Sequence, residues 1–160
     1  MTGSFLVRPL QSEDAPALFL LLRSQTSEYA HFFNPFAFNQ AFIAQMLFSR
    51  ELDVFMGMFW QGELVGFFML RGWDEGYEVP AYGALIDEGH SGYGLATLSL
   101  RMAKAICKLS RSPRIMLKVH QTNTRARRLF ERAGFVQTGV DLSGEVFIFH
   151  FDCDEPSSRV

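Results

Sequence analysis

The segment from Tyr82 to Leu109 constrains the fold more than any other part of the chain. An apolar, β-rich run is followed by a Gly-rich turn, Asp87 to Gly94, and then by the clearest helical period in the sequence. Leu95, Leu98, Met102, Ile106 and Leu109 recur at helical spacing, while Thr97, Arg101, Lys104 and Lys108 take the opposite face. This predicts a helix over Leu95–Leu109 with that apolar stripe turned inward. Small residues at Gly92, Gly94 and Ala96 let a ligand approach the backbone closely. The first N–H groups of the following helix have no intrahelical partner, and the helix dipole adds positive charge there. Strand, Gly-rich loop and helix together make an anion site suited to a phosphate or pyrophosphate. An ordinary Gly-rich turn would use the same residues. The spacing matches neither a dinucleotide GxGxxG nor a P-loop, because no Gly-Lys-Ser/Thr follows.

The other elements read outward from this segment. Phe5 to Pro9 is a first strand, and Ser12 or Asp14 can cap a well-buried helix running to about Arg23. Asn39 caps a second helix, about Gln40 to Glu51, with Phe42, Ile43, Met46 and Leu47 inward. Val54–Trp60 and Leu64–Leu70 form a hairpin around Gln61-Gly62-Glu63. A strand runs from about Glu78 to Ile86, with Pro80 arguing for a missing ladder partner. Arg114–His120 and Val146–Phe151 are strands, and a further short strand lies near Phe135 to Val140. Between them Asn123 or Thr124 caps a short helix with an Ala126, Leu129, Phe130, Ala133 stripe, and Gly134 follows as its C′ residue. The order predicts an α/β (α+β) fold: a central mixed, mostly antiparallel sheet flanked by about four helices. It excludes a doubly wound Rossmann sheet, which needs regular βαβ alternation.

Composition closes off other classes. The chain has 160 residues with 15 Lys+Arg against 17 Asp+Glu, a net charge of −2, so it offers phosphate backbones no general attraction and nucleic acid is not an expected partner. At 48% hydrophobic and 20% charged residues it is too apolar and too neutral for disorder. No apolar run approaches the roughly 20 residues of a membrane span, so no membrane partner is expected. Met1 to Phe5 lacks the regions of a signal peptide, and two cysteines, Cys107 and Cys153, are too few for a disulfide scaffold. The expectation is a cytoplasmic, reduced protein with one domain over residues 1–155 and a tail over 156–160. His31, His90, His120 and His150 show no metal-ligand spacing, so no metal is expected. Seventeen Phe need a core or a pocket, and Tyr29 to Phe38 is rich in them.

A second segment gives these features a family. Leu117-Lys118-Val119-His120-Gln121-Thr122-Asn123 through Ala126, Leu129-Phe130-Glu131 and Gly134-Phe135 resembles the hallmark L-x-V-x-x-x-N-x-x-A-x-x-L-Y-E-x-x-G-F of the GNAT (Gcn5-related N-acetyltransferase) superfamily. Gly94 and Ala96 resemble that family's acetyl-CoA loop, Q/R-x-x-G-x-G/A, and Val7-Arg8-Pro9 and Gly62-Glu63-Leu64-Val65-Gly66 look like its opening strand and hairpin. The resemblance spans about residues 5 to 151 in the family's element order.

It implies a GNAT fold with two splayed parallel strands, here those of Tyr82–Ile86 and Arg114–His120. Acetyl-CoA would enter the gap as cosubstrate, its arm bonding near Leu85 and Ile86. Its pyrophosphate would lie on Ser91, Gly92, Tyr93, Gly94, Leu95 and Ala96, with Asn123 and Phe130 beside the arm. The implied reaction is direct acetyl transfer to a primary amine of a small molecule, an amino sugar or an amino-acid-like amine. A protein N-terminal amine as acceptor, or an acyl-CoA-binding module with little turnover, stays open. The amine must lose its proton to a base or water relay. Glu78 and His120 are the candidate bases, or else a surface strand residue and a strand-end residue bonding to a loop. Tyr82 is a substitute acid, because the family's usual Tyr is Phe130 and a phenyl ring donates no proton, or else a core tyrosine with a satisfied hydroxyl. Ser91 stands where the family usually has Arg or Gln. Arg125, Arg127, Arg128 and Lys104 can supply charge instead, or form a solvated helix face. His90 reads as a neutral bystander in the loop. Lys118 occupies a strand position where some relatives carry Glu. Tyr29 to Phe38 falls where the family builds its acceptor site, as pocket wall or as a cap over the sheet. No acidic cluster points to a polyamine. A homodimer is implied only because many relatives form one.

Overall fold

The computed structural model describes residues 3–25 and 39–154. The aromatic stretch Tyr29 to Phe38 and the tail lie outside the described residues. Strand β1 (Phe5–Pro9) is followed by α1 (Ala15–Arg23), α2 (Gln40–Ser49), β2 (Val54–Trp60), β3 (Glu63–Arg71) and β4 (Ala81–Ile86). Then come α3 (Leu95–Leu109), β5 (Arg114–His120), α4 (Thr124–Arg132), β6 (Val136–Val140) and β7 (Val146–Asp152). The strands form one sheet in the order β1-β2-β3-β4-β5-β7-β6. Every neighbouring pair is antiparallel except β4 with β5. The predicted α/β class and mixed, mostly antiparallel sheet are therefore correct, and the short extra strand is β6. No helix among the described residues is long and apolar enough to cross a membrane.

Local chemistry sets the boundaries. Asn39 caps α2 by accepting the Phe42 N–H at 2.7 Å. Asp14 does not cap α1. It accepts the Gln11 N–H at 2.8 Å and a two-pronged contact from Arg8, with both N–O distances 2.8 Å, which ties β1 to the turn before α1. The β2–β3 turn is Gln61 and Gly62 alone, both with positive φ (51° and 81°), because Glu63 already pairs with Trp60. Strand β4 begins at Ala81 and not at Glu78. The chain bends through Glu78 and Val79, and Pro80, lacking an N–H, presents only its carbonyl, to the Met116 N–H at 3.0 Å.

Two apolar layers sandwich the sheet. On one face α1 and α2 pack Leu18, Leu22, Ile43 and Leu47 against Phe55, Phe67, Met69 and Leu85. On the other, α3 covers Phe68, Leu70, Tyr82, Ile115, Leu117 and Phe149, with Ala126, Leu129 and Phe130 of α4 at its margin. Helix α3 has the predicted bounds but a different inner face. Ser99, Leu100, Ala103 and Cys107 are buried, whereas Leu109 is 85% exposed. Small residues win because Tyr82 and Phe149 already fill the sheet side, so the helix sits close and its larger residues move to the shoulders. Lys104 is withdrawn from any ligand: its Nζ donates to Ala133 O at the end of α4 and lies 4.2 Å from the Phe151 ring centroid. Burial, with Lys108 and Arg101 nearby, holds its pKa below the usual lysine value.

Phe67 of β3 is fully buried in the α1/α2 layer. Phe67→Ala should lower unfolding free energy by about 3–5 kcal/mol in a denaturant titration. A loss below about 1 kcal/mol would mean the layer repacks around it.

Candidate active site between two diverging strands

Strands β4 and β5 share one register pair, Ala81 opposite Met116. Beyond it they diverge, while β3 stays in register with β4 from Ala81 to Ile86 and β7 with β5 from Arg114 to His120. The Asp87 N–H bonds to Val65 O of β3 at 2.8 Å, which sets the alternation along β4. Leu85 therefore aims its peptide groups at β3, and Ala84 aims its own into the gap. A cavity of about 930 Å³ opens there.

The cavity has three kinds of wall. Tyr82 to Ile86 and Leu117 to Val119 supply the strand sides. Ser91, Gly92, Gly94, Leu95 and Ala96 supply the loop and the start of α3. Asn123, Ala126, Leu129 and Phe130 come from α4, with the cations Arg125 and Arg132. At the head of α3, Gly94 has φ 81° and no side chain to cap the helix. Gly92 has φ 87°, and a Cβ built at either glycine meets nothing within 4 Å. This is open space at an uncapped helix N-terminus, which suits an anion.

The loop is anchored from a distance. Gln25, buried just beyond α1, donates to Asp87 Oδ1 at 3.1 Å and accepts the Glu88 N–H at 2.7 Å. Asp87 Oδ2 lies 2.6 Å from His90 Nδ1. Burial pushes the Asp87 carboxyl up, but the bonds from His90 and Gln25 outweigh it and leave its pKa below the usual value. His90 lines the cavity and is fixed to Asp87 within the loop. No signal near Gln25 in the sequence could have revealed this, because its partners are 62 and 63 residues away.

The sequence-predicted residues divide. Leu85, Ile86, Ser91, Gly92, Gly94, Leu95, Ala96, Asn123, Phe130 and Tyr82 all line the cavity. Tyr93 does not; it is 77% exposed. Asn123 also caps α4, accepting the Ala126 N–H at 3.4 Å. The Tyr82 hydroxyl is 2.6 Å from Ser99 Oγ, and Ser99 donates to Ala96 O at 2.7 Å. Tyr82 is therefore the donor of the pair, and burial raises its pKa far above the usual phenol value. Phe130 meets it edge-on at 6.2 Å. Glu78 is exposed before β4, outside the cavity lining, with Ser112 bonded to its carbonyl at 3.2 Å. His120, at the end of β5, is not in the lining either, and its Nδ1 accepts the Thr122 N–H at 3.2 Å. Of the remaining predicted cations Arg125 reaches the cavity, while Arg127 turns to Gln121 O at 3.0 Å and the Phe147 ring, and Arg128 lies outside the lining.

Because the Asp87 carboxyl is depressed in the folded state, its stabilisation is present above the ordinary carboxylate pKa and is lost as pH falls through the lowered value. Asp87→Asn should reduce stability near neutrality and flatten the acid limb of the stability curve below the ordinary carboxylate range. An acid limb identical to wild type would remove Asp87 from the loop anchor.

Comparison with known proteins agrees with this architecture. Residues 4–136 match the family model described as acetyltransferase (GNAT) domain. The chain is 33% identical over 98 residues to the spermine/spermidine N(1)-acetyltransferase of Bacillus subtilis (strain 168), covering 56% of this chain. It spans 64% of the length of that relative. Among solved structures, the GNAT domain of S. lividans PAT superposes with a TM-score of 0.78 at 20% identity, covering 91% of this chain and 89% of that one. The PaiA N-acetyltransferase of Thermoplasma acidophilum, solved in complex with coenzyme A, superposes with a TM-score of 0.72 at 20% identity, over 93% of this chain and 99% of that one. The diverging strands, the Gly-rich loop heading α3 and the family match over most of the length agree, and the chain belongs to the GNAT acetyltransferase family.

Proposed function

We propose that this protein transfers an acetyl group from acetyl-CoA directly to a primary amine of a small molecule. The observation that carries this reading is the β4–β5 gap, walled by an uncapped α3 N-terminus at one end and by the strand edge at Ala84 along its side. The residues present fit the cosubstrate. The backbone N–H groups of about Gly92 to Ala96 would hold the pyrophosphate, with Arg125 and Arg132 as the nearby charges that Ser91 does not supply. Ala84 offers peptide groups to the pantetheine arm, in the place expected near Leu85 and Ile86. Leu117, Leu129 and Phe130 keep that passage apolar. Acetyl-CoA supplies an activated acyl group and a leaving thiol whose ordinary pKa is about 8.5. That value makes an acid dispensable, which fits Phe130 in place of a Tyr and a Tyr82 hydroxyl already given to Ser99.

The proton of the amine leaves through water in the open cleft. His120 stands two residues beyond Lys118 on the same face of β5, about 7 Å along the strand, and takes the proton from that water. Glu78 lies before the Ala81–Met116 pair, on the closed side of the gap, and plays no part.

Isothermal titration tests the reading. Acetyl-CoA should bind saturably at one site per chain, and Gly94→Glu should abolish binding through bulk, like charge and a φ that side chains rarely adopt. Unchanged affinity in the folded variant would remove the loop from the cosubstrate site. For the proton route, His120→Ala should lower kcat by about tenfold or more, with acetyl-CoA affinity unaltered and Glu78→Gln silent. A pH–rate profile untouched by His120→Ala would leave water alone as the acceptor.

A further inference from the structure

We propose that Lys118 selects the acceptor, favouring an amine that also carries an anionic group, a carboxylate or a phosphate, over a polycation; this rests on the acetyl-transfer reading above. Along β5 the side chains alternate. Ile115, Leu117 and Val119 are at most 4% exposed and join the α3 core, whereas Lys118 is exposed on the opposite face. That face lies on the α1/α2 side of the sheet, and the layer under α1 and α2 is built from β2, β3 and β4, not from β5. Lys118 is also past the Ala81–Met116 pair, where the strands have parted, and it lines the cavity.

The two faces of the gap then have different tasks. The α3 and α4 face carries the helix N-terminus, Arg125 and Arg132, the groups suited to the phosphates. The acceptor has to reach the thioester from the other face, the one on which Lys118 stands.

Several other charged side chains described on that face have partners. Arg114 pairs with Asp152 at 3.4 Å, and Glu145 lies 3.8 Å from His120. His150, the cross-strand neighbour of Met116, bonds through Nδ1 with Thr138 at 2.5 Å. The cross-strand neighbour of Lys118 is Ile148, and among the described residues Lys118 has no ion pair. An unmatched ammonium beside the acceptor path raises the energy of a second cation there and lowers that of an anion. It also disfavours the ammonium form of the reacting amine, which must be neutral to attack.

The test measures kcat/KM for matched amines: glucosamine 6-phosphate against glucosamine, alanine against alaninamide, and spermidine alone. In wild type the anionic member of at least one pair should lead by about tenfold, a difference of about 1.4 kcal/mol, and spermidine should be poor. The leading pair identifies phosphate or carboxylate as the recognised group. Lys118→Met should erase the preference, and Lys118→Glu should reverse it toward spermidine. A wild-type preference for spermidine that Lys118→Glu leaves unmoved would overturn the inference. So would a tenfold loss of acetyl-CoA affinity in Lys118→Met with acceptor ratios unchanged, because Lys118 would then serve the cosubstrate. If none of these amines turns over, the CoA-loaded protein is titrated with inorganic phosphate. Saturable binding lost in Lys118→Glu supports the inference, and no binding overturns it. Failure of wild type to bind acetyl-CoA at all would instead remove the transfer reading itself.

Discussion

The pairing of β4 with β5 stops after Ala81 and Met116, and the cavity exists because it stops there. Both strands are held from outside, β4 by β3 and β5 by β7, through antiparallel ladders that run their full lengths. Those ladders stop the gap from closing into an ordinary parallel pair. They also leave backbone polar groups at Ala84 facing a space that a ligand with its own amides can fill. Had β4 and β5 zipped together, the Gly-rich loop would head α3 with nothing to lead into.

Electrostatics follow from the same geometry. The head of α3 lacks a capping side chain, so its positive end is turned to the cavity. The loop before it is kept in place by Gln25 and Asp87 across the layer, which fixes Glu88 and His90. Lys104, the one charged residue of α3 that burial holds back, serves the end of α4 and adds no charge to the site. Among the described residues Lys118, Arg125 and Arg132 line the cavity, Lys118 from β5 and the two arginines from α4.

Much of this was legible in the primary structure because it is local. The bounds of α3 follow from apolar period, the β2–β3 hairpin from Gln61-Gly62, the end of α4 from Gly134, and the loop before α3 from its small residues. Failures of sequence reasoning were failures of environment. The stripe Leu95 to Leu109 has the right period yet the wrong phase, because helix position on the sheet is decided by the bulk of Tyr82 and Phe149 beneath it. Glu78 has the right parity for a strand that had not yet begun, because Pro80 and the bend before it end the ladder. Tyr82 reads either as a substitute acid or as a core tyrosine with a satisfied hydroxyl, and Ser99 2.6 Å away decides for the second.

The sequence by itself determined the element order, the family and the residues heading α3, since these depend on spacing along the chain and on backbone freedom at particular glycines. Tertiary structure decided which of those residues meet. It set where β4 and β5 part, brought Gln25 to a loop 62 residues later, took the Tyr82 hydroxyl out of play, and left Lys118 without a partner among the described residues. The physical reason is that charge and hydrogen-bond capacity are properties of a residue, whereas what satisfies them is a property of the packing around it.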